Sequence, residues 1–224
     1  MSRPAILFDL DGTLSDPKDG ITRSIRHALD ELHQPLDPST SLEWVIGPPL
    51  KDSLARLLPG REHLAAEALR LYRQRYETVG LFENALYPRV PEALGDLAKR
   101  ARLFVATSKL AEFAASICRH FGIDGYFEKV YGSRPDGTFD DKAELLGHIL
   151  KEKGLAPENC LMIGDTRFDI LAAKAHGIAA LGVLWGYGSR EELLAAGAEG
   201  LVERPGGLAG KVASLPTGSG ASRG

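Results

Sequence analysis

The sequence predicts an α/β protein with a doubly wound parallel sheet and a smaller, all-helical inserted domain. Short apolar runs alternate with segments of helical periodicity over most of the chain after residue 90. The runs are apolar on both faces, which is typical of parallel strands covered by helices on both sides. One long helical stretch interrupts the alternation after the first strand, which indicates an insertion. At 224 residues the chain is long enough to bury the core of such a fold.

The core elements follow from these patterns in chain order. Strands are predicted where apolar and β-branched residues cluster, at 5–8, 103–106, 127–131, 161–163, 178–184 and, more weakly, 200–202. Helices are predicted where apolar residues recur three and four positions apart, at 91–100, 111–121, 142–153, 168–176 and 190–196. Glycines follow several of these helices, which suits the left-handed residue that ends a helix: Gly122, Gly154, Gly177 and Gly197.

The interruption covers about 75 residues without a convincing strand, which is too long for one crossover helix. We predict a helical domain at 16–89 inserted between core segments 1–15 and 90–213, with hinges at 16–20 and 86–89. Within it, Gly47-Pro48-Pro49 predicts a rigid loop, because no helix would tolerate that tripeptide. The small, polar tail at 214–224 predicts disorder.

The composition favours a small-molecule partner. The 27 Lys and Arg balance 30 Asp and Glu and spread along the chain, so neither a nucleic-acid footprint nor a basic membrane patch is expected. The two cysteines lack CxxC spacing, which favours free thiols over zinc. We find no targeting segment and no apolar run of about 18 residues, so a soluble, cytoplasmic protein is expected. Monomer and homodimer both remain open.

Charged and hydroxyl side chains follow the predicted strands. Asp9 and Asp11 end the first strand, residues 107–109 (Thr-Ser-Lys) end the second, and Asp165 follows the fourth. Lys142 opens the helix after the third strand. Ligands of open parallel sheets bind outside the carboxyl ends of the strands, so these side chains are expected to share one edge.

This set of side chains fits phosphoryl transfer. Carboxylates without histidine or cysteine form a hard-oxygen site that suits Mg²⁺. Residues two apart on an extended segment face the same side, so Asp9 and Asp11 can both face one bound group, while backbone N–H groups in the Gly12-Thr13 turn can bind phosphate oxygens. Thr107 or Ser108 can donate to a phosphate oxygen, Lys109 can support them, and Lys142 can balance charge on the transferring group.

The ordered set Asp9-x-Asp11-Gly12-Thr13, Thr107, Lys142 and Gly164-Asp165-x-x-x-Asp169 resembles the four motifs of the haloacid dehalogenase superfamily. The segments FDLDGTL, GPPL, ATSK and GYGS most resemble its phosphoglycolate phosphatase-like branch. The resemblance implies a Rossmann-like core and identifies the helical insertion as similar to that family's first-position cap. Arg89 is a departure, because the family tends to have glycine at the corresponding Tyr-Pro-Gly turn.

The resemblance also implies roles for individual residues. Asp9 would attack phosphorus and bind Mg²⁺, and Asp11 would protonate the leaving alcohol, activate water and reach the metal through its main-chain carbonyl. Thr107 would hold the phosphoryl group, and Lys142 would anchor both Asp9 and the phosphate. Asp165 would bind Mg²⁺ directly, while Asp169 would bond a metal-bound water or orient its neighbours. The carboxylate at Asp11 argues against dehalogenation, which has no alcohol to protonate.

Several alternatives stay open on sequence grounds. The expected substrate is a small phosphate monoester, with 2-phosphoglycolate first, nucleoside 5′-monophosphates second and aryl or tyrosine phosphates third. A phosphomutase or a non-catalytic phosphate-binding regulator would retain the same core motifs. Lys51 and Arg73 can reach an anionic substrate tail or can be solvated surface residues. The aspartates can also act as turn and helix caps, and the second Asp-Gly-Thr, at 136–138, is predicted to be only a turn.

Overall fold

The chain folds into two compact units in a computed structural model that describes residues 3–48 and 50–215. One unit combines Met1–Leu14 with Tyr87–Gly224, and the other is Ser15–Leu86. The predicted disorder of the tail falls almost wholly outside the described residues, as does Pro49 of the predicted rigid loop. No described helix is both long and apolar enough to cross a membrane.

Strands and helices alternate along most of the chain. The strands are β1 (Ala5–Phe8), β2 (Ser15–Asp16), β3 (Ala85–Leu86), β4 (Arg102–Leu110), β5 (Lys129–Ser133), β6 (Cys160–Gly164), β7 (Ala179–Val183) and β8 (Gly200–Val202). The helices are α1 (Lys18–Glu31), α2 (Leu50–Leu57), α3 (Ala65–Arg75), α4 (Val90–Ala98), α5 (Ala111–His120), α6 (Lys142–Lys153), α7 (Arg167–Ala175), α8 (Arg190–Ala196) and α9 (Leu208–Ser214).

The larger unit contains a six-stranded sheet in the order β5-β4-β1-β6-β7-β8. Every neighbouring pair is parallel. All residues of β1 and β6 are buried, because helices cover both faces of the sheet. The prediction of a doubly wound parallel sheet is therefore confirmed. Since chain connections run outward from β1 in both directions, its carboxyl end lies at the switch point where such folds bind ligands.

Two strands differ from the sequence prediction. β5 begins at Lys129, two residues after Phe127, because Phe127 is extended but precedes the first β4–β5 pair at Phe104 and Lys129. β4 continues past Ala106 to Leu110, because its pairing with β5 shifts register and resumes at Leu110 and Ser133. Such an irregularity changes the direction of the side chains between the two pairs.

The helix ends agree closely with their sequence signals. Asp141 caps α6, and its Oδ1 accepts hydrogen bonds from the backbone N–H groups of Ala143 at 2.7 Å and Glu144 at 3.0 Å. The four glycines predicted to end helices all have positive φ angles. Arg89, which precedes α4, also has a left-handed backbone with φ 68°. It therefore keeps the backbone conformation that favours glycine at this turn, despite carrying a side chain.

The smaller unit is built on α1, α2 and α3. Its buried side chains include Ile25, Leu29, Leu54 and Tyr76. A π-helical turn at Tyr76–Gly80 follows α3. The unit also contains the antiparallel pair β2–β3, in which Ser15 pairs with Leu86. The prediction of a purely helical insertion misses this pair, because two-residue strands leave no periodic signal.

Candidate active site

The chain turns sharply where β1 ends. The backbone N–H of Asp9 donates to the carbonyl of Ile163 on β6 at 2.9 Å, which continues the sheet by one residue. The N–H of Leu14 then donates to the carbonyl of Leu10 at 2.9 Å, closing a turn around Gly12. Gly12 has φ +84°, and a Cβ there would lie 2.1 Å from Oδ2 of Asp165. Glycine is required at this position both by backbone angle and by space.

Three buried carboxylates meet beside this turn. Oxygen atoms of Asp9, Asp165 and Asp169 lie within 4.8 Å of one another. Asp165 and Asp169 are fully buried, and Asp9 is 8% exposed. Asp165 comes directly after β6, and Asp169 lies in the first turn of α7. The two neighbouring strand ends and one helix start therefore bring together residues that are far apart in sequence.

Asp165 and Asp169 are each held in place by hydrogen bonds. Oδ1 of Asp165 accepts from the hydroxyl of Thr13 at 3.1 Å, and its Oδ2 accepts from the N–H of Tyr187 at 2.9 Å. Oδ2 of Asp169 accepts from both the N–H and the hydroxyl of Thr166 at 2.9 Å, which forms a capping box at the start of α7. The helix-capping role considered for Asp169 is therefore real, and it coexists with its place in the carboxylate cluster.

Lys142 is the cation of the cluster. It is the buried first residue of α6, and its Nζ lies 3.0 Å from Oδ1 of Asp9 and donates a hydrogen bond to Oδ1 of Asp169. The contact with Asp9 is an ion pair without hydrogen-bond geometry, so Oδ1 of Asp9 is a buried oxygen with no hydrogen-bond partner among the described residues. One lysine thus faces three carboxylates, and one carboxylate oxygen is left unsatisfied.

The electrostatics of the cluster favour an additional cation. Burial, opposed by Lys142 and reinforced by Asp169, raises the pKa of Asp9 to about 6. Burial, together with Asp169 and Asp9, raises the pKa of Asp165 well above its ordinary value. Burial by itself would lower the pKa of Lys142, but its attraction to Asp169 and Asp9 raises it above the ordinary value. The unsatisfied oxygen and the all-carboxylate donor set fit a hard divalent cation such as Mg²⁺.

Asp11 lies outside the three-carboxylate group and pairs with a second lysine. Nζ of Lys109 lies 2.7 Å from Oδ2 and 2.9 Å from Oδ1 of Asp11. The N–H of Lys109 also donates to the hydroxyl oxygen of Thr107 at 3.2 Å. Lys109 therefore contacts both Asp11, through its side chain, and Thr107, through its main chain. Lys109 lies within the irregular stretch of β4, and a Cβ on Gly132 of β5 would lie 2.3 Å from the Lys109 carbonyl oxygen.

The remaining candidates lie on both units. Thr107 is buried and Ser108 is exposed, both at the carboxyl end of β4. Lys51 is exposed on α2 and Arg73 is half-buried on α3, both in the smaller unit. Asp136 and Gly137 of the second Asp-Gly-Thr are exposed. Asp136 accepts a hydrogen bond from the N–H of Thr138 at 2.9 Å, which is a simple turn as predicted.

The sequence marks GYGS, at 186–189, only as a family resemblance and does not predict that the loop at 185–188, which follows β7, contacts the site. The indole N–H of Trp185 donates to the carbonyl of Thr13 at 2.9 Å. Gly186 packs so closely that a Cβ would lie 2.4 Å from Oδ2 of Asp165. The available signal is a Gly-x-Gly just after a strand, where close backbone approach is common.

Comparison with known proteins identifies a family and several relatives. The model of the haloacid dehalogenase-like hydrolase family matches residues 6–183. The chain is 47% identical over 193 residues to a 5′-nucleotidase of Pseudomonas aeruginosa, covering 86% of this chain and 87% of that protein. It is 34% identical to a phosphoglycolate phosphatase of Colwellia psychrerythraea, with 85% and 88% covered.

Two further matches are informative. The chain is 39% identical to the tyrosine-protein kinase PtkA of Mycobacterium tuberculosis, covering 82% of this chain but only 62% of that longer protein. The crystal structure of a protein described as a predicted phosphatase from Clostridium acetobutylicum superposes with a TM-score of 0.89 at 33% identity. This match covers 96% of this chain and all of the other chain.

Proposed function

Because this chain belongs to the haloacid dehalogenase-like hydrolase family, we propose that it hydrolyses a small phosphate monoester with the help of Mg²⁺, passing the phosphoryl group through Asp9. The observation that carries the proposal is the buried cluster of Asp9, Asp165 and Asp169 around Lys142. Burying three carboxylates against one lysine is costly unless a ligand compensates their charge. A bound divalent metal ion would provide that compensation, both for the carboxylates and for the phosphoryl oxygens of the substrate.

Asp9, Asp165 and Asp169 would hold the metal, with the main-chain carbonyl of Asp11 as an additional ligand. When bound, Mg²⁺ would supply positive charge that offsets the negative charge on the phosphoryl oxygens as the ester bond breaks. Asp169 keeps its Oδ2 in the α7 cap, so its Oδ1, shared with Lys142, is the oxygen that faces the cluster. The side chain of Asp11 is then left for proton transfer.

The reaction takes two displacements at phosphorus. In the first, a carboxylate oxygen of Asp9 bonds to phosphorus while the bond to the ester oxygen breaks. Asp11, once it carries a proton, passes that proton to the departing oxygen, which leaves as an alcohol. In the second, the ionised Asp11 takes a proton from water as its oxygen bonds to phosphorus. The bond between phosphorus and Asp9 breaks, which releases phosphate and restores Asp9.

The other residues hold the phosphoryl group. The Thr107 hydroxyl and the backbone N–H of Gly12 serve as donors to its oxygens, and Ser108 adds a donor at the exposed end of β4. The N–H of Thr13 is already used within the turn, where it donates to the carbonyl of Leu10 at 3.3 Å. Lys142 balances charge between Asp9 and the phosphoryl group. Lys109, the second-last residue of β4, balances the charge of Asp11. Its position at this strand end makes it a candidate contact for the substrate anion.

We assign the smaller unit the role of a cap that selects the substrate and excludes bulk water. It is a continuous insertion, Ser15–Leu86, joined to the larger unit by two chain connections. Lys51 and Arg73 are its candidate contacts to the substrate tail. Two substrates have separate support: the sequence motifs favour 2-phosphoglycolate, whereas the 47% identity to a protein named 5′-nucleotidase favours a nucleoside 5′-monophosphate.

The test is phosphate release from a panel of both substrates, aryl phosphates and sugar phosphates, with Mg²⁺ and with a chelator. We expect release that requires Mg²⁺ and is lost in Asp9→Asn. Asp136→Asn, in the exposed second Asp-Gly-Thr, is the matched control and should behave as the wild type. Release that survives Asp9→Asn unchanged would refute the mechanism, and isomerisation of a sugar phosphate without release would indicate a mutase.

A further inference from the structure

The loop at residues 185–188 contacts both the turn after β1 and the carboxylate of Asp165. We propose that this loop positions Asp165 for metal binding, with Trp185 and Gly186 as the positioning residues. The proposal rests on the metal site of the proposed function and adds residues that do not themselves touch the metal. It follows from three sets of contacts, all within the larger unit.

The first set fixes Asp165 from its main chain and its side chain. The N–H of Tyr187 donates to Oδ2 of Asp165 at 2.9 Å. The N–H of Gly188 donates to the main-chain carbonyl of the same residue at 3.1 Å. Two successive N–H groups of one loop thus bind Asp165, one at its carboxylate and the other at its main-chain carbonyl. Hydrogen bonds to a carboxylate oxygen restrict the rotation of the carboxylate about its side-chain bonds.

The second set ties the loop to the turn after β1. The indole N–H of Trp185 donates to the carbonyl of Thr13 at 2.9 Å, while the hydroxyl of Thr13 donates to Oδ1 of Asp165 at 3.1 Å. Thr13 therefore links the indole ring to the carboxylate. The ring of Trp185 is held in turn by an edge contact with Tyr87, whose centroid lies 6.4 Å away.

The third set is a close approach of backbone to the carboxylate. A Cβ on Gly186 would lie 2.4 Å from both Oδ2 of Asp165 and the carbonyl oxygen of Gly12. A Cβ on Gly188 would lie 2.1 Å from the carbonyl oxygen of Asp165. Neither contact can be relieved by moving the end of a flexible side chain. Together with Gly12 on the other side, these glycines enclose the carboxylate without filling the space that it needs.

These contacts reach the carboxylate and the main chain of one buried residue, Asp165, either directly or through Thr13. Partners that orient a metal ligand typically change metal affinity by about 10-fold to 100-fold when they are altered. We therefore expect the loop to set the affinity for Mg²⁺ more strongly than it sets the stability of the fold. A purely structural loop would affect unfolding but leave Mg²⁺ binding unchanged.

The experiment measures Mg²⁺ binding by calorimetry in the absence of substrate. The test variants are Trp185→Phe, which removes the indole N–H but keeps an aromatic ring, and Gly186→Ala. The matched controls are Trp44→Phe, in the smaller unit, and Gly210→Ala, where an added Cβ meets nothing within 4 Å. Circular dichroism and thermal unfolding establish that each variant is folded.

We expect Mg²⁺ affinity to fall about threefold to tenfold in Trp185→Phe, as for the loss of one hydrogen bond. In Gly186→Ala the fall should be about 10-fold to 100-fold. Both controls should bind as the wild type does. The Mg²⁺ concentration giving half-maximal phosphate release should rise in parallel, with a smaller change in kcat at saturating Mg²⁺.

Mg²⁺ affinity within twofold of the wild type in the test variants would overturn the proposal. If Gly186→Ala does not fold, Trp185→Phe decides alone. A second measurement uses Trp44→Phe, in which Trp185 is the remaining tryptophan. The fluorescence emission of Trp185 should change on addition of Mg²⁺, and the titration should give the same Kd as calorimetry. Constant emission would contradict the proposal. Failure of the wild type to bind Mg²⁺ would instead refute the metal site of the proposed function.

Discussion

Asp9→Asn should stabilise the metal-free protein at pH 8 while abolishing its activity. Burial and the neighbouring carboxylates make the ionised form of Asp9 unfavourable in the folded state, although Lys142 opposes this effect. The substitution removes that charge at nearly constant shape. The catalytic nucleophile would therefore be a residue whose charge weakens the fold until a ligand arrives.

The size of the effect follows from the pKa of Asp9, which is about 6 in the folded protein and 3.8 for an ordinary aspartate. At about 1.4 kcal/mol for each tenfold change in an equilibrium, keeping Asp9 ionised at pH 8 costs the fold about 3 kcal/mol. The new amide has N–H donors that cannot pair with the Lys142 ammonium group, which costs about 1 kcal/mol of the stability gained. We expect a net increase of about 2 kcal/mol in the free energy of unfolding.

The pH dependence has a definite sign. Between pH 4 and pH 6 the folded wild type binds more protons at Asp9 than the unfolded chain, so the wild type loses stability as the pH rises through this range. The variant lacks this loss. The difference between the two proteins should therefore be small at pH 4, grow up to about pH 6 and stay constant above it.

Urea unfolding at several pH values, with EDTA and then with Mg²⁺, measures these effects. In the wild type, Mg²⁺ at 100 times its Kd should add about 2.7 kcal/mol to the free energy of unfolding. The same concentration should add much less in Asp9→Asn, and Asp136→Asn should match the wild type. Destabilisation of the metal-free Asn variant at pH 8 would show that ionised Asp9 does not weaken the fold, and an undiminished response to Mg²⁺ would show that Asp9 does not bind the metal.

Three other predictions follow from buried or strained groups. Lys142→Met should lower the free energy of unfolding by roughly 3–5 kcal/mol at pH 8, because Asp9 and Asp169 lose their shared cation; urea unfolding measures it, and a loss below 1 kcal/mol would contradict it. Arg89→Gly should gain about 1 kcal/mol by removing a side chain from a left-handed backbone with φ 68°, seen as a higher Tm; an unchanged or lower Tm would argue against strain there. Cys118 and Cys160 should resist alkylation at pH 7.5 until urea is added, because burial raises their thiol pKa values to about 12 and about 11; fast labelling of the folded protein would contradict this.

The fold can be predicted where side-chain pattern decides the structure. β1 and β6 are apolar on both faces, and the pattern locates them nearly to the residue. The predicted start of β5 is two residues early because the apolar, extended Phe127 resembles a strand residue but lies outside the pairing. The pair β2–β3 escapes prediction because two-residue strands are specified by chain geometry and not by periodicity.

The candidate site divides in the same way. Strand ends in a parallel sheet must meet at one edge, so spacing and order are enough to bring Asp9, Asp165, Asp169 and Lys142 together. Lys109, which pairs with Asp11, lies in the irregular stretch of β4, and no residue pattern marks that irregularity. Trp185 acts on a main-chain carbonyl, and such a contact places no requirement on the sequence of its partner.

In the proposed mechanism, Asp9 carries the phosphoryl group during turnover. Rapid quenching in acid after mixing with a substrate that the panel identifies, followed by peptide mass spectrometry, tests it directly. Asp11→Asn, which lacks the base that activates water, provides a protein in which the intermediate should persist if it forms. We expect one phosphoryl group on the peptide that contains Asp9. Phosphate release with the phosphoryl group on another residue, or with no phosphorylated peptide at any time point, would contradict it.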